Sequence, residues 1–313
     1  MNAILITVVP VFALIVLGYL AAKIKMFSEP QASGLNLFVH YIAIPALLFR
    51  TMLKVDVSQE APWALWASYY LAGALIWIIA LLVASRIEIL RPKGGAATAL
   101  SSSFGNLVLM GLPLAFLHFG EKALIPAALI VAIHAPIQWF VATLRAEWSD
   151  RNAAKPISDM LKDLGLSLAR NPIITSLAAG FVWNFAGFGL HEIVDKIISM
   201  LGQAGVPAAL FALGLSIANY SFKGQLLGVA TILTLKMAVF PAIAWGLSVK
   251  VFNLPPIVAG VVILFAAMPP GVNAYLFANR YKASAAAVSG AVALGTAISM
   301  ITIPLVLWLL GPV

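Results

Sequence analysis

Ten apolar runs, most of them close to the roughly 20 residues a helix needs to cross a hydrocarbon core, follow one another along the 313 residues with polar punctuation between them. Backbone in lipid must satisfy its own hydrogen bonds, so a chain built this way folds as a bundle of spanning helices. The runs cover approximately 3–22, 32–52, 62–85, 95–118, 123–147, 172–187, 193–218, 225–250, 256–278 and 284–310. The sixth is short, and the polar cluster from His191 to Lys196 reads either as a loop or as the wet start of the seventh. With 62% hydrophobic and 10% charged residues and a mean hydropathy of +1.02, a water-soluble globule is excluded. The chain reads as an all-α integral membrane protein with the lipid bilayer as its first partner. Its first run lacks a basic flank and a small-residue cleavage site, so it is expected to remain as a helix rather than serve as a signal peptide. Cysteine is absent, which excludes disulfides.

A net charge of +8 does not point to nucleic acid here, because the basic residues are scattered over loops instead of gathered on one face. They sort by side. Taking alternate loops, thirteen Lys and Arg fall with the linker "WSDRNAAKPISDMLKDLGLSLARN" and five (Arg50, Lys54, Lys122, Lys196 and Lys250) fall opposite it. The positive-inside rule then puts linker 148–171 in the cytoplasm and both termini outside, as an even helix number requires.

The chain also resembles itself. Pro10 and Pro172, Gly18 and Gly180, and the pentapeptides "PALLF" from Pro45 and "PAALF" from Pro207 all lie 162 positions apart. The expected organisation is a five-helix repeat over 1–147, the linker over 148–171, and a second five-helix repeat over 172–313. Five is odd, so the second copy inserts upside down, the inverted-repeat plan of many secondary transporters.

Under that repeat "GNLVLMGLP", Gly105 to Pro113, in the fourth span faces "AAMPPGVNAYLF", Ala266 to Phe277, in the ninth. Proline removes a backbone donor and glycine leaves helical geometry readily, so both segments are expected to unwind mid-membrane. Freed backbone groups are tolerated there only beside protein or a water-filled cavity. Where the helices resume, their N-terminal amides offer partial positive charge to a carboxylate, and Asn106 and Asn273 add side-chain donors and acceptors. The two breaks are expected to cross as an X near the midplane. Pro45, Pro136, Pro207, Pro241 and Pro304 read as kinks or close-packing sites.

All eleven acidic residues lie in loops or at helix ends, so a carboxylate-based coupling site is missing from the membrane interior. Lys236, in "ILTLKMAVFPAI", is the charge that falls mid-span. It either neutralises an anionic substrate or caps unwound carbonyls of the ninth span. His40, His134, Gln138 and Asn184 are further mid-membrane polar groups, and His134 and Gln138, four apart on one helical face, are the better pair to line a pocket. Trp63, Trp66, Tyr69, Tyr70 and Trp308 read as interfacial anchors or lipid-facing bulk. Enzymatic motifs are missing: "GLSLA" at Gly165 lacks the second glycine of a nucleophile elbow, no glycine loop cradles phosphate, four scattered histidines give no metal spacing, and no paired membrane aspartates suggest a protease. The chain is read as a non-enzyme without cofactor or metal.

The two motifs, "GNLVLMGLP" and "AAMPPGVNAYLFANRY", resemble those of the auxin efflux carrier family, which includes plant PIN-formed carriers and bacterial malonate permease-like proteins. The resemblance covers the whole chain. It implies ten helices in two inverted repeats, with a scaffold of spans 1, 2, 6 and 7, a mobile transport domain of spans 3–5 and 8–10, and homodimers formed through the scaffold. It also implies that carboxylate anions bind where spans four and nine cross. Carried onto this chain, the first crossover matches Asn106, Gly111 and Pro113, and the second Pro269, Gly271, Asn273 and Tyr275, with His134, Gln138 and Lys236 as candidate neighbours. Plant carriers have proline where this chain has Ala274, and many have a long cytoplasmic loop where the linker here is about two dozen residues. Both differences favour a small organic acid over auxin and a bacterial cytoplasmic membrane as the location. The expected function is alternating-access transport of mono- or dicarboxylates; an anion channel and a membrane anion sensor are the alternatives. Import would require a coupled ion, a role that titration of His134 would fill.

Overall fold

The computed structural model describes residues 2–53, 62–149, 156–218 and 226–311. Lys54, Asp56, Glu60, Asp150, Arg151, Lys155 and Lys223, all loop charges in the reading above, lie outside the described residues. The described chain is helical throughout, and its one β-type pairing is an isolated antiparallel bridge between Gly105 and Pro270. In order, the helices are α1 (Asn2–Lys23), α2 (Glu29–Met52), α3 (Trp63–Arg86), α4 (Ala96–Ser103), α5 (Leu107–Phe119), α6 (Glu121–Trp148), α7 (Ile157–Ala169), α8 (Pro172–Phe185), α9 (Glu192–Ile217), α10 (Leu226–Val251), α11 (Pro256–Ala267), α12 (Val272–Arg280) and α13 (Ala285–Leu310).

Among the described residues six helices, α2, α3, α6, α9, α10 and α13, are long and apolar enough to cross a membrane. The fourth and ninth apolar runs are each divided in two, α4 with α5 and α11 with α12, at the glycine and proline clusters. The His191 cluster is the beginning of the seventh run and not a loop. The His191 side chain accepts from the Ile193 N–H as the N-cap of α9, and Glu192 and Asp195 occupy its first turn, where the helix dipole favours them.

Three of the prolines have a visible local effect. Pro45, Pro113 and Pro241 each follow two residues behind a π-helical turn, at Val39–Ala43, Leu107–Gly111 and Leu235–Val239. A proline supplies no N–H to the preceding turn and crowds its carbonyl, and the wider π-turn relieves both. Pro136, Pro207 and Pro304 sit inside helices whose assignment is unbroken around them.

Small residues bring helices together, since lipid offers no hydrophobic drive for association. A Cβ on Gly18 of α1 would stand 2.1 Å from the Phe211 carbonyl oxygen of α9, and one on Gly214 would stand 2.0 Å from that of Ile15. A Cβ on Gly180 of α8 would stand 2.6 Å from the Phe49 carbonyl oxygen of α2. Gly18 and Gly180, and likewise Phe49 and Phe211, are 162 positions apart. The same contact is thus made twice with its partners exchanged. Asn184 Nδ2 ties α8 to α2 again through the Met52 carbonyl, and Arg50 meets Asp195 in a two-pronged ion pair between α2 and α9.

The linker carries a helix of its own, α7 over 157–169, with Met160 buried beneath it. One expectation is corrected. Trp66, Tyr69 and Tyr70 are not lipid-facing: Tyr69 is fully buried, Trp66 donates to the Leu129 carbonyl and Tyr70 to that of Ile130. These residues bolt α3 to α6. Trp63 and Trp308 remain exposed on the outer surface.

Candidate functional site

The sequence around the first break is Ser103-Phe104-Gly105-Asn106, and around the second Met268-Pro269-Pro270-Gly271. Phe104 and Met268 both adopt extended ψ values, 105° and 143°, which end α4 and α11. The extended stretches then pair. Asn106 N–H donates to the Pro269 carbonyl and Gly271 N–H to the Phe104 carbonyl, each at 3.0 Å. Backbone polar groups released by unwinding are satisfied by the other break, the condition for non-helical chain at membrane depth. Close approach requires glycine on both sides: a Cβ on Gly271 would fall 2.8 Å from the Phe104 ring, and one on Gly105 would fall 3.2 Å from the Phe265 carbonyl oxygen.

Beside this pairing lies a cavity of about 640 Å³. Phe104 to Leu109 line it from the first break, Gly271, Val272, Asn273 and Tyr275 from the second, and Val131, His134 and Ala135 from α6. The N-terminal turn of α12 therefore borders the cavity and contributes its positive dipole end. Asn106 is 6% and His134 2% exposed, and neither Asn106 Nδ2 nor either nitrogen of His134 has a hydrogen-bond partner. A buried polar atom without a partner is costly, so these groups are poised for something that enters the cavity. His134 is packed at a tilt against two rings, with centroids 4.6 Å from Phe104 and 5.8 Å from Tyr69.

A second cavity, of about 460 Å³, shares His40, Ala135, Asn171 and Asn273 with the first and is lined further out by Glu147, Asp163, Arg280 and Tyr281. The site therefore opens toward the linker side, under α7. A third cavity, of about 300 Å³, is lined by Arg50, Glu121 and Lys122 and shares no lining residue with the first. Among the described residues no group of three or more His, Cys, Asp or Glu is placed to hold a metal ion.

Comparison with known proteins agrees with this picture. A family model described as membrane transport protein matches residues 3–307. The chain belongs to the membrane transport protein family. Its relatives there include a protein provisionally named a malonate transporter from Rhizobium meliloti, 28% identical over 97% of this chain and 94% of its own length. Auxin efflux carrier component 8 of Arabidopsis thaliana is 25% identical over 94% of each chain. An uncharacterized transporter of Methanocaldococcus jannaschii is 27% identical over 96% of each. The family is one of transporters, and the kinship to auxin efflux carriers runs the length of the chain.

Of the residues singled out from sequence, this membrane transport protein brings Asn106, His134, Gly271, Asn273 and Tyr275 to one cavity. Gly111, Pro113 and Pro269 are buried behind it, where they shape the breaks without lining the space. Gln138 lies off the cavity and braces it: its Oε1 accepts from Trp77 Nε1 at 2.8 Å and from Ser103 Oγ at 3.0 Å, fixing the end of α4 against α3 and α6. Trp77→Phe should therefore lower stability by about 1–2 kcal/mol, the worth of a buried hydrogen bond whose acceptor keeps one donor. A thermal melt beside a transport assay checks this, with substrate affinity expected to be unchanged. Lys236 also lies off the cavity, with its Nζ on the Ala266 carbonyl.

Of the wall contributed by α2, sequence reasoning noted His40 alone. Glu29, Ser33, Asn36 and His40 face the cavity, and Asn36 Nδ2 donates to Ser216 Oγ of α9. Their spacing of four, three and four is a polar stripe on one helical face, a signal present in the sequence from the start.

Proposed function

We propose that the protein is an alternating-access carrier of small organic anions, mono- or dicarboxylates, that binds them where the two broken helices cross. The observation carrying this reading is the cavity itself: unpartnered nitrogens of Asn106 and His134, beside the N-terminal turn of α12, offer donors to a carboxylate in a space free of buried acids. Charge-assisted hydrogen bonds of this kind are the strong ones. The kinship with carriers named for malonate and auxin supports the same substrate class.

In this reading the ten apolar runs form two inverted repeats, a plan supported by the exchanged Gly18–Phe211 and Gly180–Phe49 contacts. Spans 1, 2, 6 and 7 act as the scaffold, through which two copies associate, and spans 3–5 with 8–10 carry the site past it as an elevator. With linker 148–171 in the cytoplasm, the continuous pair of cavities makes this the inward-facing state. The polar stripe of α2 belongs to the scaffold and meets the substrate only while the site faces that side.

The test is reconstitution in liposomes with malonate, malate, succinate, acetate and indole-3-acetate. Saturable flux of at least one, with exchange of labelled for unlabelled anion across the membrane, is the expected result. Ohmic, non-saturating current would make it a channel. No flux under imposed proton or sodium gradients, with anion binding retained, would make it a sensor.

A further inference from the structure

Lys236 is a fully buried residue of the π-turn Leu235–Val239 in α10. Its Nζ donates to the Ala266 carbonyl and stands 4.7 Å from the centroid of the Phe240 ring. The sequence explains why that carbonyl is available. In an α-helix its donor would be the N–H four residues on, which belongs to Pro270 and does not exist. The preceding carbonyl, of Phe265, faces the same deficit at Pro269 and is taken instead by the Met268 N–H. Two consecutive prolines thus strip the last turn of α11 of two donors, at the end where the helix dipole gathers negative charge. The Lys236 side chain fills one of the vacancies from a neighbouring helix. No ion pair among the described residues involves it.

We propose that Lys236 is the fixed positive charge of the moving unit: its ammonium neutralises the broken end of α11 and travels with it, so that a bound monocarboxylate makes the unit neutral. This rests on the carrier reading above. The Ala266 carbonyl and the face of Phe240 receive the side chain without a carboxylate, so in this proposal no partner cancels its charge. A potential negative inside then draws the empty unit inward. One elementary charge crossing the whole of a 100 mV field shifts the balance of its two positions by about 50-fold. With a monoanion aboard the crossing becomes insensitive to voltage; with a dianion its sign reverses. Export of a monoanion is then electrogenic in its empty return step, not in its loaded step.

Voltage steps on reconstituted protein without substrate, run beside the flux assay on the same preparation, test this. Wild type should give transient currents totalling up to one elementary charge per carrier, which a transported monoanion suppresses and a transported dianion inverts. Lys236→Gln should remove them while Lys236→Arg keeps them. The proposal is overturned if wild type carries its anion yet shows no substrate-free charge movement, a result that needs no variant to fold. It is overturned equally if Lys236→Gln transports with the charge movement intact. Absence of saturable flux from the wild type would remove the carrier reading itself, and this proposal with it.

Discussion

Asn106→Ala should cut saturable anion flux by about 10- to 100-fold, the loss expected when one hydrogen bond to a charged group, about 1.5–3 kcal/mol, disappears. The reasoning depends on an asymmetry in the site. Asn106 Nδ2 has no partner in the protein, so its removal strands no acceptor. The backbone pairing that holds the break together uses the N–H of residue 106, which alanine retains. The melting temperature should therefore hardly move while transport falls. Initial rates over a range of anion concentrations, with a melt of the same preparation, separate the two. A variant with wild-type rate and KM would remove Asn106 from the binding site.

Gly214→Leu should have the opposite profile, destroying the fold rather than the activity. The contact it would violate is backbone on backbone, with a Cβ only 2.0 Å from the Ile15 oxygen and 2.8 Å from the Tyr19 nitrogen. No side-chain rotamer relieves such an overlap, so α1 and α9 must part along their length. A cost of about 4 kcal/mol or more is expected, at the far end of single-substitution effects. Gly73→Ala is the control: Gly73 is also buried mid-helix, in α3, but a Cβ there meets nothing within 4 Å. That change should be neutral or slightly stabilising, since alanine is the better helix former by about 1 kcal/mol. Size-exclusion profiles and melts of the two variants decide it. A monodisperse, wild-type-stable Gly214→Leu would show that α1 and α9 need not touch.

Much of this was legible in the sequence because membrane burial imposes a simple grammar. Apolar runs located the helices, and Gly105, Pro269, Pro270 and Gly271 located the breaks, since those residues deny the backbone its helical partners whatever surrounds them. What escaped depended on neighbours. His134 and Gln138 share a helical face, yet Trp77 and Ser103 capture one while the other is left facing the cavity. Tyr69 and Trp63, on the same helix, look alike as aromatic residues; only packing of α3 on α6 tells which is interior. The linker helix α7 went unseen because its 13 residues, amphipathic and broken by charges, fall well short of a spanning apolar run.

The exchanged glycine contacts carry a further meaning. Each half of the chain holds both members of the joint: a glycine on its first helix and a phenylalanine carbonyl on its second. Two copies of either half alone would thus present self-complementary surfaces, the requirement for a two-fold homodimer. A side chain added at Gly18 or at Gly180 would accordingly open one of two matching backbone seams, each held by its own glycine, and leave the other closed.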